Sequence, residues 1–427
     1  MNIFLKVVAI GELFRMINIS NKTVAIIETI YLFFLCSTIS NAGYSISYAL
    51  LIICMAIYLA KTHKNFQFPD KQFISIYLVF MCSLMIAAML SGDGKSLQST
   101  VKYIYWTLPF FVLYAINQRS FYHQSVQWGT SLASIILSGY VLFIFLFLPH
   151  GDRISGFFRN PNDYAMVVEM FAPFIFASIC KNYQLQRKNF FSFSNWSNIF
   201  NIIAFVISVF GIFLSKSRGG IAGFLFGVAV LIILNILLNK KYVVSKIKIL
   251  FACCILCFVA TGLIVVMTQH YQRGYDYERV LLVQSSYKMW TDHKLYGVGY
   301  SRWQKEYKEK YILPGAKEPD LPMPHNTFAE YFSTTGVIGG LGYSIFVFGS
   351  IIILIKKMKE DITNPYIQAL LWVSISILAH GLVDAGLRNK FVARLYFGFW
   401  GITLASVYNW TYWKSQFLQC KKMIIKK

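Results

Sequence analysis

The chain has 427 residues, of which 56% are hydrophobic and only 14% are charged, and its formal net charge is +22. Soluble domains are typically about 25% charged, so this composition excludes an ordinary soluble protein and indicates an integral membrane protein. The basic residues are scattered over many loops instead of forming one patch, which argues against a nucleic-acid partner.

Apolar runs recur along the whole chain. A membrane-spanning helix needs roughly 20 mainly apolar residues, so the sequence predicts an all-α integral membrane protein with about twelve transmembrane helices. The expected spans are 24–42, 46–61, 73–91, 101–117, 126–148, 164–180, 198–215, 221–238, 249–267, 336–356, 367–385 and 396–412. One large polar loop with short helices, 268–335, separates the first nine helices (1–267) from the last three and a tail (336–427).

Lys and Arg are more frequent in one alternating set of short loops, which the positive-inside rule assigns to the cytoplasm. Both termini are then cytoplasmic, and the long loop lies on the outer side. This arrangement is typical of a multi-pass protein of the bacterial inner membrane whose polar loop faces the periplasm. None of the eight cysteines falls in that loop. We therefore predict no disulfide framework there, and no Cys/His spacing indicates a metal site.

The first informative loop is 152–165. Its Asn-Pro-Asn-Asp sequence at 160–163 is typical of a turn, and Asn162 or Asp163 is expected to cap the following helix. Arg153 and Arg159 lie at the expected lipid–water boundary, where they can bind either lipid phosphates or a phosphorylated substrate.

A very short link, 216–220, joins the seventh and eighth spans and places Arg218 at headgroup depth. The guanidinium group is suited to bidentate contact with a phosphate or diphosphate, and the two glycines that follow allow close backbone approach. The alternative is a flanking residue that extends toward the membrane surface.

The long loop is expected to begin with an amphipathic helix over 278–293. Its predicted apolar face consists of Val280, Val283, Tyr287 and Trp290. Arg279 falls in the first turn, where the helix dipole does not favour a cation, so an anionic partner explains it better than helix stability does. The glycine-hinged turn 297–299 follows, then a charged run over 303–311 that is expected to form a solvated helix face. The irregular stretch 314–324 is a candidate flap.

His325 follows Pro324 directly. The Thr327–Glu330 sequence has the capping-box pattern, so a helix is expected to begin at about Thr327 with Glu330 in a capping role. The positive end of that helix favours a neutral imidazole, as a general base requires. The alternative is an ordinary surface histidine. Further on, His380 and Asp384 are four residues apart on one expected helix face, where they can orient each other, line a site or form a structural hydrogen bond.

These segments resemble the superfamily of O-antigen ligases and O-antigen polymerases, which are bacterial inner-membrane glycosyltransferases. The ligase pattern of His, then Asn, nine residues, Gly, two residues and Gly is matched by His325, Asn326, Gly336 and Gly339. The blocks 156–165, 217–220, 278–279 and 297–299 are also similar to that family and occur in the same order. One feature departs from the ligases: Arg218 is followed four residues later by Ala222 instead of leucine.

The resemblance implies transfer of a glycan from undecaprenyl diphosphate to an acceptor hydroxyl, with neither a cofactor nor a metal ion. In a ligase the acceptor is lipid A–core, and the other partners are membrane lipids. His325 would be the catalytic base, and Arg218 and Arg279 would bind the diphosphate. Candidate substrate-binding residues are Arg153, Arg159, Asn326 and Arg388.

Two alternatives remain open at this point. A polymerase would use the same donor and join it to a second lipid-linked repeat unit. A lipid-linked sugar flippase would also have about twelve spans, although transporters tend to carry midplane charges and inverted repeats.

Overall fold

We analysed a computed structural model of the chain, which describes residues 19–62, 66–119, 121–186, 189–192, 195–238, 275–384 and 386–425. The predicted span 249–267 and the start of the long loop, 268–274, lie outside these described residues. Within them the chain is all-helical, with no β-strand, so the predicted all-α class is confirmed.

The helices follow one another along the chain with short connections. In chain order they are α1 (Asn21–Ser37), α2 (Asn41–Thr62), α3 (Lys71–Leu90), α4 (Gly94–Thr107), α5 (Pro109–Arg119), α6 (His123–Phe147), α7 (Pro161–Gln186), α8 (Trp196–Leu214), α9 (Arg218–Leu238), α10 (Tyr275–Asp292), α11 (Trp303–Glu306), α12 (Thr327–Glu360), α13 (Pro365–His380) and α14 (Lys390–Ile425).

Eight of the described helices are long and apolar enough to cross a membrane, namely α2, α3, α6, α7, α8, α9, α12 and α14. Helix α13 is apolar but shorter. The predicted single span 101–117 is instead two helices, α4 and α5, which meet at Leu108 and Pro109. Proline has no backbone N–H and disfavours the helical conformation in the residue before it, which explains the break. The chain is thus a multi-pass membrane protein, and the count of about twelve spans remains a prediction.

Helices α7 and α14 form the centre of the bundle, since 78% of the apolar window of each is buried inside the protein. Helix α9 lies at the rim, with only 22% of its window buried, and it packs along α13. Its glycines make this contact close: a Cβ atom on Gly223 or Gly227 would lie 2.7 Å or less from α13 atoms. Small residues at such interfaces let membrane helices approach closely.

The polar segment between α10 and α12 has a small core of its own. Trp303 stacks on Tyr307, with ring centroids 4.6 Å apart, and its indole N–H donates to the hydroxyl of Ser286. The buried face of α10 contributes Leu282 and Met289 to this core. The predicted apolar face of α10 is therefore wrong: Val280, Val283 and Tyr287 are exposed. The pattern gave the correct helical period but could not identify which face meets protein.

Helix α12 is sharply kinked at Gly336, where φ is 62° and ψ is −161°. The kink receives the turn that begins at Gly297: the N–H groups of Val298 and Gly299 donate to the carbonyls of Ser333 and Thr334. The backbones touch, since a Cβ atom on Gly297 or Gly336 would lie 2.3 Å from the opposing main chain. This backbone pairing satisfies the groups that the kink frees.

Candidate functional site

A cavity of about 480 Å³ opens where the polar ends of α7, α9, α10 and α12 converge. We call it the arginine cavity because Arg153, Arg218 and Arg279 all line it, together with His325. The structure thus brings together four of the seven sequence-predicted site residues. Its other lining residues are Asp152, Asn160, Asn162, Ser217, Gly219, Glu278, Leu282, Glu318, Leu321, His380, Val383 and Asp384.

The position of Arg218 follows from the way α9 begins. Ser217 precedes the helix and is buried, and its hydroxyl accepts the N–H of Gly220, which is an N-terminal cap. Arg218 is therefore the first helical residue and points its charge at the mouth of the bundle. Gly219 allows the close approach to α13, because a Cβ atom there would lie 2.5 Å from the His380 ring.

Arg153 is held in the cavity wall by its neighbours. Its Nε donates to the carbonyl of Ser215 at 3.2 Å, and its Nη2 donates to Oδ1 of Asn162. The amide of Asn162 in turn donates to Oδ2 of Asp384 at 3.0 Å. The expectation that Asn162 or Asp163 caps α7 is wrong: Asn160 is the capping residue, since its side chain accepts the N–H of Asn162.

His325 lies immediately before α12 in the left-handed region, with φ at 51°. Non-glycine residues adopt that conformation at a cost and are found there mainly at functional or tightly constrained positions. Its Nδ1 is 3.6 Å from Oδ1 of Asp384, and both side chains are largely buried. The Nδ1 edge thus faces a carboxylate, and His325 also lines the arginine cavity.

The backbone around His325 ties it to Asp384. The N–H of Thr327 donates to the carbonyl of Gly381 at 2.7 Å, and its hydroxyl donates to the carbonyl of Asp384 at 3.0 Å. Helix α12 begins at Thr327, as predicted, but the capping box is wrong because Asn326 is the cap. The amide of Asn326 also donates to the Leu382 carbonyl, so its side chain is used to position His325.

His380 and Asp384 both line the arginine cavity, which was one of the possibilities that their spacing left open. Helix α13 ends at His380, so the two residues do not share a helix face. His380 instead contacts Glu169 of α7, with Nδ1 and Oε1 2.9 Å apart, and both side chains are buried. The sequence analysis missed Glu169. A carboxylate inside the apolar run of α7 was the signal that could have identified it.

The remaining predicted residues lie elsewhere. Arg388 pairs through its Nε with Oε1 of Glu330 at 2.8 Å, which gives Glu330 an ion-pairing role instead of a capping one. Arg159 is exposed and is not among the residues that line the arginine cavity. Within the described part of the chain, no group of three or more His, Cys, Asp or Glu side chains is arranged to hold a metal ion.

A second cavity of about 430 Å³ shares Asp384 with the arginine cavity. We call it the aromatic cavity because Trp106 and Tyr300 line it. Burial raises the pKa of Tyr300, although the nearby Arg388 opposes this, so its hydroxyl stays protonated. The other lining residues are Ser99, Lys102, Asp163, Met166, Ser301, Pro322, Met323, Asp384, Arg388 and Asn389.

The fold and the two cavities define a multi-pass membrane protein with an arginine-lined site at the polar end of its bundle, where the carboxylates of Asp152, Glu278, Glu318 and Asp384 also line the cavity. The O-antigen ligase family model matches residues 203–344, about a third of the chain. This segment carries Arg218, Arg279 and His325, and its match to the family supports the resemblance to O-antigen ligases and polymerases that the sequence predicted. No curated protein sequence gives a significant match to the chain.

Proposed function

We propose that this protein is an O-antigen ligase of the bacterial inner membrane, with its arginine cavity facing the periplasm and both termini in the cytoplasm. In this proposal it transfers a glycan from undecaprenyl diphosphate to a sugar hydroxyl of lipid A–core. The observation that carries the proposal is the convergence of His325 with Arg153, Arg218 and Arg279 on one cavity. The family match across 203–344 supports the glycosyltransferase class.

The arginine cavity suits the donor because a diphosphate is a compact dianionic group. Guanidinium groups contact phosphate oxygens through two parallel N–H donors, and Arg153 from a loop, Arg218 from α9 and Arg279 from α10 can contact the group from different parts of the chain. They also stabilise the charge that develops on the leaving oxygen as the glycosidic bond breaks. In this proposal the guanidinium groups neutralise that charge without a metal ion.

His325 acts as the general base. Its Nε2 takes the proton of the acceptor hydroxyl, and the hydroxyl oxygen forms a bond to the anomeric carbon. The bond from that carbon to the diphosphate oxygen breaks, and undecaprenyl diphosphate leaves with the electron pair. Asp384, 3.6 Å from Nδ1, stabilises the imidazolium that results. A single displacement of this kind inverts the anomeric centre; trapping of a covalent glycosyl-enzyme would contradict it.

A polymerase would share the donor and these residues, and the matched family includes polymerases. The two functions differ in the acceptor, so products distinguish them. The test is a gel of lipopolysaccharide from a strain without this gene, with lipid-linked glycan extracted in parallel. Bare lipid A–core beside accumulated long glycan on undecaprenyl diphosphate is the expected result. Core that carries a single repeat unit would instead indicate a polymerase. An unchanged pattern would contradict both and favour a transporter.

A further inference from the structure

The two cavities flank one carboxylate. Asp384 lines both of them, and its Oδ1 faces the Nδ1 of His325. The three arginines that line the arginine cavity are absent from the residues that line the aromatic cavity. Two adjoining cavities of different chemistry that share the carboxylate partner of His325 are suited to two different substrates.

The geometry of the reaction indicates which substrate each of the two cavities binds. In a single displacement the attacking oxygen approaches the anomeric carbon from the side opposite the leaving group. If the diphosphate lies among the arginines, the acceptor must arrive from the opposite side of the reacting centre. The aromatic cavity adjoins the arginine cavity at Asp384, the partner of His325, and none of the three arginines lines it.

The lining chemistry is that of a sugar site. Trp106 is partly exposed and can pack against the apolar C–H face of a pyranose, which removes apolar surface from water, and the largely buried Tyr300 also lines the cavity. Asp163, whose carboxylate accepts the Asn389 amide at 2.9 Å, offers oxygen acceptors to sugar hydroxyls. A volume of about 430 Å³ fits one or two sugar rings, and ligand sites generally combine an apolar wall with a few placed polar groups.

We infer that the aromatic cavity binds the acceptor glycan and delivers its hydroxyl to His325 from the side opposite the diphosphate. This inference rests on the proposed function, because it presumes that a glycan is transferred. Two acceptors share the required chemistry, the core sugar of lipid A–core and a lipid-linked repeat unit, and the experiment below separates them.

The test uses cysteine protection on the purified full-length protein. Ser301→Cys reports on the aromatic cavity, with Ser99→Cys on α4 as a second reporter in case the first variant does not fold. Asp152→Cys reports on the arginine cavity, where its side chain is 90% exposed. A membrane-impermeant maleimide is the label, and the wild-type chain gives the background. The three probes are undecaprenyl diphosphate, bare lipid A–core and an undecaprenyl-diphosphate-linked repeat unit.

We expect lipid A–core at about ten times its Kd to slow labelling of Ser301→Cys about tenfold and to leave Asp152→Cys unchanged. Undecaprenyl diphosphate should give the reverse pattern. If the repeat unit protects both positions and lipid A–core protects neither, the aromatic cavity is still supported as the acceptor site. The acceptor would then be the lipid-linked repeat unit and not lipid A–core.

Protection of Asp152→Cys but not Ser301→Cys by the acceptor would overturn the inference, as would the absence of protection by any glycan. These results are distinct from a failure of the proposed function. Suppose that lipid A–core protects the Ser301→Cys variant but the wild-type protein transfers no glycan. The acceptor site would then be supported, and the proposed ligase activity would be contradicted.

Discussion

The arginine cavity and the aromatic cavity have similar volumes, about 480 and 430 Å³, but different chemistry. Three guanidinium groups from three separate parts of the chain line the first. Two aromatic rings line the second, where Arg388 is paired with Glu330. The difference suggests a division of labour in which one chamber neutralises a leaving group and the other holds a neutral, hydroxyl-rich acceptor.

Both chambers are built by tertiary contacts that tie distant segments together. Arg302 pairs with Asp93 at 2.9 Å, and the N–H of Tyr300 donates to Ser96, so the polar segment is fixed to α4 on the aromatic side. On the arginine side, the carboxylate of Glu278 accepts the backbone N–H groups of Lys317 and Glu318. The candidate flap 314–324 is thereby held against α10, between the two chambers.

Removal of the base should have the largest effect, because both chambers depend on it. For His325→Ala we expect the transfer rate to fall about 10²–10⁴-fold, the usual range for a general base. Binding of undecaprenyl diphosphate should stay near the wild-type level. His150→Ala, which changes an exposed histidine in another loop, is the matched control. Near-normal transfer by a well-expressed His325→Ala protein would contradict the role of His325 as the general base.

The donor side is tested by Arg218→Ala. We expect kcat/KM for the donor to fall about 10²–10³-fold, because a preorganised donor to the leaving oxygen is lost. Arg218→Lys should recover part of this, since it keeps the charge but not the bidentate geometry. Arg159→Ala removes an exposed arginine outside the cavity and should transfer glycan normally. Equal losses from Arg159→Ala and Arg218→Ala would contradict the assignment of the diphosphate to this cavity.

The shared carboxylate is tested by Asp384→Asn. The variant keeps the size of the side chain but loses the charge that faces the imidazolium, so we expect kcat to fall about 10–10²-fold. The KM values for donor and acceptor should change little. Asp320→Asn, in an exposed loop ion pair, is the control. A loss confined to donor KM would mean that Asp384 serves the arginine cavity alone.

The acceptor side is tested by Trp106→Ala. Loss of one aromatic wall should raise KM for the acceptor about tenfold, equivalent to roughly 1.4 kcal/mol. The KM for the donor should be unchanged, and Trp106→Phe should recover most of the loss. Trp196→Ala removes an exposed tryptophan elsewhere and serves as the control. A rise in the KM for the donor instead would contradict the assignment of donor and acceptor to separate cavities.

The smallest effect on the transfer rate should come from Gly336→Ala, which disturbs the kink of α12. The left-handed φ and the 2.3 Å approach to the Leu295 main chain should cost about 1–3 kcal/mol of stability or more. A lower apparent Tm of the purified protein is the expected result. Gly139→Ala is the matched control, because nothing lies within 4 Å of the Cβ position there. An unchanged Tm for Gly336→Ala would contradict the kink as a structural requirement.

Much of this architecture could be predicted from the sequence, because long apolar runs and turn residues act locally. The beginning of α12 at Thr327 and the glycine-hinged turn at Gly297 follow from local patterns, whereas Gly336 was singled out only by the resemblance to the ligase pattern. The tertiary contacts of these residues could not be predicted, because they join positions that are far apart in the sequence. Gly297 lies against the main chain of Thr334 and Thr335, and Gly336 lies against that of Leu295 and Tyr296; no local pattern encodes these contacts.

His380 and Asp384 show where a local pattern stops being informative. Four-residue spacing places side chains on one helix face, and this left a direct pairing, a shared site and a structural hydrogen bond all open. The rule holds only inside a helix, and α13 ends at His380. The turn that follows directs Asp384 toward His325 and leaves His380 to Glu169. Similarly, the aromatic cavity could not be anticipated, since Trp106 and Tyr300 come from segments far apart in the sequence.

The most direct test of the central claim is an experimental structure of the full-length protein in a lipid nanodisc with undecaprenyl diphosphate bound. We predict density for the diphosphate in the arginine cavity, in contact with Arg218 and Arg279 and beside His325, with the aromatic cavity left free for the acceptor. Diphosphate density in the aromatic cavity, or away from all three residues, would contradict the account.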